Sequence, residues 1–275
     1  MPEPQPAAAL APVSAAGDEP RYGWVVVWAC FAALAVIFGI AYSFAAFFES
    51  FAAEFGAARA DVSLVFGVTG LVYFALGAFG GMLADRFGPR RVTSAGMLCI
   101  VAALVAGSRS TSMAQVTLAY GVVLGLGVAL VYTPAIGCVQ PWFTRRRGLA
   151  AGIASAGIGA GTLGVPLMAA AAIVQWHWRG AMLALAAFVA VIGLASTLLL
   201  RPAPTARRVA GGVVPGVPLG PALAGVRFRW LYVMCLAGAP SMFVPFAHLS
   251  ASARATSASP RRRRWGWWAS SASAA

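Results

Sequence analysis

The chain has 275 residues, 60% of them apolar types and 10% charged; a soluble domain carries about 25% charged residues, so an ordinary soluble enzyme and a polar disordered chain are both excluded. Its 20 basic residues, all Arg, stand against 7 acidic ones, a formal charge of +13. The arginines sit in short clusters between apolar runs, which points to a membrane protein and not to a nucleic-acid partner.

Residues 1–22 are rich in Pro and Ala, lack a charged start and read as a disordered N-terminal tail rather than a signal peptide. A bilayer core of ~30 Å needs roughly 20 residues of apolar helix, because every backbone polar group must be paired internally. The stretches free of Arg, Lys, Asp and Glu are Trp24–Phe48, Val62–Ala84, Val92–Ser108, Ser110–Thr144, Gly148–Trp178, Gly180–Leu200 and Trp230–Ala253. Each holds one helix. The expectation is an all-α polytopic membrane protein: a six-helix bundle over 23–200, a Pro-rich cytoplasmic linker over 201–229, and a seventh helix over 230–250. The four cysteines, Cys30, Cys99, Cys138 and Cys235, lie within apolar runs, so no disulfide framework is expected.

Arginine placement orients the chain. With the N-terminus in the cytoplasm, the inner side holds Arg21, Arg86, Arg90, Arg91, Arg145, Arg146, Arg147, Arg201, Arg207, Arg208, Arg227 and Arg229. The outer side holds only Arg59, Arg109 and Arg179. Arg254 and Arg261 to Arg264, after the seventh span, break the bias.

Between spans two and three the pattern is Gly81-x-Leu83-x-Asp85-Arg86-x-Gly88-x-Arg90-Arg91. Gly81 would let helix 2 approach a neighbour, and Gly88-Pro89 supplies a tight turn. Asp85 is placed either to pair with a nearby Arg or to cap a helix N-terminus. For the arginines alone, a hairpin that merely orients two helices is a sufficient reading. The whole pattern at this place resembles the helix 2–3 signature of the major facilitator superfamily. That resemblance implies a cytoplasmic latch between two transporter halves, carried here by Gly81, Asp85, Arg86, Gly88, Arg90 and Arg91, which favours the outward-open state and is released during the cycle.

Further strings narrow the resemblance: Tyr22-Gly-Trp-Val-Val-Val, Arg59-Ala-Asp-Val-Ser63, Trp142-Phe-Thr-Arg-Arg-Arg-Gly148, His177-Trp178-Arg179 and Val244-Pro-Phe-Ala-His248. Together they resemble the oxalate/formate antiporter and monocarboxylate transporter branch, which implies a small organic anion as substrate, alternating access, the cell inner membrane, no cofactor and no enzymatic step. In helix 5, Gly148, Gly152, Gly157, Gly159 and Gly161 fit close, sliding packing, and Gly164-Val-Pro166 loosely echoes an antiporter signature. Gly39-x-Ala-Tyr42-Ser43 in span one and Gly127-x-Ala-x-x-Tyr132-Thr133 in span four are similar strings at repeat-equivalent places. Tyr42, Ser43, Tyr132 and Thr133 are therefore candidates to line a cavity, with helix packing as the alternative role; Tyr73 and Tyr120 are weaker candidates. No formal charge lies deep in a span, and His248 is either titratable or an interfacial packing residue.

Other classes fail on residue content. A retinal receptor needs a Lys, and the chain has none; a membrane metalloprotease needs clustered His and Glu, and His177 and His248 stand far apart, so no metal is expected. A seven-helix receptor or sensor matches the span count alone. Twelve spans need roughly 400 residues, so the chain reads as a non-functional or partial fragment that is not expected to transport alone, and the expected partners are the lipid bilayer, the anion and a missing C-terminal transporter half. Residues 251–275 read as an out-of-frame tail. With GC-rich codons, Arg254-Ala-Thr-Ser-Ala-Ser259 read one base earlier becomes Arg-Asp-Leu-Gly-Leu, and Trp265-Gly-Trp-Trp268 becomes apolar; a genuine basic, lipid-binding tail is the alternative.

Overall fold

The computed structural model describes residues 20–203 and, beyond them, Gly225, Val226, Arg229, Trp230, Val233 and Met234. The expectations for the N-terminal tail before residue 20, most of the linker, most of span seven, His248 and the tail over 251–275 lie outside the described residues. Two compact units are present, Met1–Gly212 and Val213–Ala275. In the second, Val226, Arg229, Trp230, Val233 and Met234 are helical and the Arg229 N–H donates to the Gly225 carbonyl at 3.1 Å, so helix begins ahead of Trp230.

The first unit is an all-helical antiparallel bundle over its described residues. Helix α1 spans Arg21–Phe55, α2 Arg59–Phe87, α3 Pro89–Ser108 and α4 Met113–Trp142. The last apolar stretch, Arg147–Leu199, runs for 53 residues and is broken at Trp176 (φ −125°) and His177 (φ 54°). It is therefore two helices, α5 over 147–175 and α6 over 178–199. The division falls at Trp176–His177 and not at Arg179, so Trp178 and Arg179 open α6 instead of preceding it.

Local chemistry sets several of these ends. Asp61 in the first turn of α2 complements the helix dipole. The Ser112 hydroxyl caps α4 by accepting from the Gln115 N–H. Helix α4 carries a π-turn at Thr117–Leu124 and tolerates Pro134 in its interior, and α6 has a second π-turn at Val189–Gly193.

Helix α1 is the centre of the bundle: 61% of its apolar window is buried, against 17% for α2. In lipid, apolar contact gives no advantage over the solvent, so packing rests on close fit and on satisfied polar groups. Both are visible. Phe44, Phe47, Phe51 and Phe55 form a chain of ring contacts down α1 to Trp178 of α6, with centroids of contacting rings 5.2 to 6.5 Å apart. The Tyr120 hydroxyl donates to the Ile40 carbonyl, the Thr69 hydroxyl lies 3.2 Å from the Tyr120 carbonyl, and Ser94 bonds Thr197 at 2.9 Å. These tie α4 to α1, α2 to α4, and α3 to α6. Among the described residues no buried side-chain nitrogen or oxygen lacks a partner.

The tightest crossing is α1 on α5. A Cβ at Gly157 or Gly161 would overlap the backbone of Phe31 or Ala35. Gly148, Gly152 and Gly159 of the same glycine run have nothing within 4 Å, so only one face of it makes the crossing.

Candidate functional site

Two groups of residues at different depths hold the candidate site residues. The first is the hairpin between α2 and α3. Its loop is one residue: Gly88 closes α2, with its N–H on the Ala84 carbonyl at 2.9 Å, and Pro89 opens α3. Gly88 has φ 87° and ψ 146°, backbone that an L side chain adopts only with strain, and Pro89 at the first helical position has no N–H to leave unpaired. The expected tight turn is present.

Asp85 lies in the last turn of α2, exposed, and does not cap α3, whose N-terminus has no side-chain cap. A one-residue link leaves no loop through which its carboxylate can turn back to the α3 amides. Arg86, Arg90 and Arg91 are exposed as well, and Arg86 lies 5.4 Å from the Phe87 ring. Among the described residues, Asp85 and these three arginines form no ion pair. Gly81 does sit against α4: a Cβ there would lie 3.2 Å from Thr133 Cγ2. The nearer approach, which sequence reading missed, is its neighbour Gly80, where a Cβ would overlap the Ala129 carbonyl. The doublet Gly80-Gly81 was the available signal; which member faces α4 was not.

The second group lies on α1, α2 and α4. Tyr132 of α4 packs edge-on to Phe38 of α1 at 5.5 Å and to Tyr73 of α2 at 5.7 Å, and Phe38 and Tyr73 meet at 6.0 Å. Tyr42, 37% exposed, stands beside Phe66 of α2 at 5.8 Å. Thr133 is exposed, with Oγ1 3.7 Å from where a Gly77 Cβ would lie. Ser43 differs from the other three candidates: it is fully buried and its hydroxyl donates to the Gly39 carbonyl of its own helix at 2.7 Å. Adjacent helical residues point about 100° apart, so Tyr42 and Ser43 cannot share one direction. Tyr73 joins Tyr132 here, and Phe38 was missed because nothing in the apolar run of α1 marks it. Tyr120, buried and bonded to α1, acts as a helix tie.

At the opposite end, Arg179 donates to Glu54 at 3.1 Å and to the Ser108 carbonyl at 3.0 Å, and its guanidinium lies 4.4 Å from the Trp178 ring centroid. This joins the ends of α1, α3 and α6. The Arg179 hydrogen bond holds the Glu54 carboxyl, beyond the expected span, below its usual pKa.

The family model of the Major Facilitator Superfamily matches residues 29–269. Monocarboxylate transporter 13 of Bos taurus is 33% identical over 241 residues, covering 85% of this chain and 54% of the relative. Its counterpart in Rattus norvegicus is 32% identical over 237 residues, covering 84% and 53%. Monocarboxylate transporter 11 of Homo sapiens is 30% identical over 254 residues, covering 90% and 53%. The chain spans about half the length of these curated relatives.

Proposed function

The chain belongs to the major facilitator superfamily, and from that premise we propose that it serves transport of a small organic anion, of the monocarboxylate or oxalate/formate class, by alternating access. The carrying observation is the extent of likeness to proteins named monocarboxylate transporters, up to 90% of this chain. The arginine bias supports a cytoplasmic N-terminus, and the reading places this multi-pass protein in the cell inner membrane. In this reading the six described helices form one wall of the path and face a second six-helix wall, in keeping with relatives of about twice the span.

Tyr42, Tyr132 and Thr133 present hydroxyls towards that path, and Tyr73 extends the group on α2. A phenol or threonine hydroxyl donates a hydrogen bond to a carboxylate without carrying charge into the membrane. Ser43, held by Gly39, supports the shape of α1 at this level. At the hairpin, Gly81, Asp85, Arg86, Gly88, Arg90 and Arg91 act as the latch: the turn holds α2 and α3 at fixed register, and the exposed charges meet the facing wall.

Uptake of labelled lactate, pyruvate, oxalate and formate into vesicles tests the substrate class, with the chain alone and with a facing six-helix half co-expressed. Saturable uptake of at least one, lowered at least about tenfold in Tyr132→Phe, is expected. No uptake or binding of any carboxylate in either format would sink the substrate class and leave the fold intact. Binding without uptake in both would favour a sensor. In the co-expressed form, Asp85→Asn shifts cysteine labelling between the two membrane faces; unchanged labelling on both refutes the latch.

A further inference from the structure

Between α1 and α6 runs an open apolar groove of about 460 Å³ that neither the latch nor the cavity group touches. Trp24 and Trp28 form one wall, Ile192 and Leu199 the other, and Ala32 and Ala195 are among the small residues that leave the space. Trp28 is 58% exposed, so a large flat ring stands at the lip, with Phe31 edge-on at 5.4 Å.

The hairpin-side end of this groove carries positive charge in a fixed position. The Arg201 carbonyl accepts from Trp142 Nε1 and from the Cys138 thiol, both at 3.0 Å, which pins its backbone to α4. Its guanidinium lies 5.0 Å from the Tyr22 ring centroid, and the Tyr22 hydroxyl donates to the carbonyl of the groove residue Leu199 at 2.9 Å. Exposed Arg21 adjoins Tyr22 as the first residue of α1, whose first turn holds no acidic residue and no side-chain cap. An apolar slot between two apolar helices, the Arg201 cation at its end with Arg21 one residue from Tyr22, and the positive pole of a helix dipole beside them match one molecule shape: an acyl chain below an anionic headgroup.

We propose that this groove is a binding site for an anionic phospholipid of the leaflet at the hairpin end. One acyl chain lies between Trp24, Trp28, Ile192 and Leu199, and the headgroup phosphate accepts from Arg201, with Arg21 adding to its field. Stacking on Tyr22 holds the Arg201 fork in place, so little side-chain freedom is lost when a phosphate arrives. The tryptophans, amphipathic rings suited to headgroup level, fix the depth.

The test is native mass spectrometry of the purified 275-residue chain, released from mixed micelles holding equal amounts of phosphatidylglycerol and phosphatidylcholine. Phosphatidylglycerol should be retained at least about fivefold over phosphatidylcholine, and Arg201→Gln should remove about fivefold of its binding. Arg201→Lys should keep most of it, and Arg109→Gln, at the other end of the bundle, should change nothing. Ala195→Trp, which fills the groove, should lower retention of both lipids. Equal retention of the two lipids, equal losses in Arg201→Gln and Arg109→Gln, or undiminished phosphatidylglycerol in a folded Ala195→Trp protein would each overturn the proposal. Should Ala195→Trp fail to fold, the two arginine variants decide it alone.

Discussion

Where α5 gives way to α6, Arg179 is bound to Glu54, to the Ser108 carbonyl and over Trp178, and Arg59 stands 3.5 Å from Glu49. At the hairpin end, Asp85, Arg86, Arg90 and Arg91 are exposed and make no ion pair among the described residues. The same residue types are thus paired with neighbouring helices at one end and, at the hairpin, exposed without an ion pair among the described residues. Link length explains much of this. A one-residue turn sends the side chains of the last turn of α2 and the first turn of α3 outwards. The break at Trp176–His177 instead sets Arg179 in the first turn of α6, within reach of α1 and α3. Arg179 is held by three neighbours, whereas Asp85, Arg86, Arg90 and Arg91 stay exposed on the hairpin.

The largest effect is expected on α2, from a change in packing and not in charge. Gly80→Leu drives a side chain into the Ala129 backbone and should cost about 3 kcal/mol, or prevent folding, while Gly67→Leu, with nothing within 4 Å, should cost little. Thermal unfolding in detergent with size-exclusion profiles reads both, and equal losses would show that α2 does not depend on its α4 face. Next in size, Arg179→Ala should lower stability by about 1 kcal/mol, a figure kept small because Arg179 and Glu54 are 40% and 44% exposed. Arg90→Ala should stay within about 0.5 kcal/mol. If the two arginines prove equivalent, the contrast between the ends fails.

A smaller effect is expected from His177, whose φ of 54° is the one positive value on a non-glycine among the described residues. His177→Gly should raise stability by about 0.5–1 kcal/mol, because glycine occupies that region without strain. A drop in melting temperature would mean that the imidazole contributes more than its backbone costs. The smallest effect is in acid. Glu54 is depressed by Arg179, so its contribution is present above the ordinary carboxylate pKa of about 4.3 and is lost as pH falls through the lower folded value. Wild type should therefore lose a little more stability than Arg179→Ala on acidification below that pH; parallel acid profiles would remove the ion pair from the account.

Some of this was legible without coordinates because it depends on local chemistry. Gly88-Pro89 dictates a turn wherever it occurs, and the apolar runs dictate helices because no other backbone pairs itself in lipid. The surroundings of the candidate cavity residues depend on distant segments. Tyr132 lies in an aromatic group with Tyr73 and Phe38, while Ser43 turns to its own helix, an outlet open to any serine or threonine in a helix. Neither the string around Tyr42 nor the one around Tyr132 states which way its hydroxyl goes.

What the sequence determined by itself is the set of apolar spans, the hairpin and the family pattern on it, since each follows from residue types a few positions apart. Which face of each helix meets which neighbour is instead a matter of long-range packing. It selected Gly157 and Gly161 for the α1 crossing and left Gly148, Gly152 and Gly159 open; it placed Gly80 ahead of Gly81 against α4, and it gave Arg179 its three contacts. The physical reason is the solvent. In water, an apolar stripe announces the buried face; in a bilayer, the lipid-facing and protein-facing sides are equally apolar, and close fit between distant segments makes the choice.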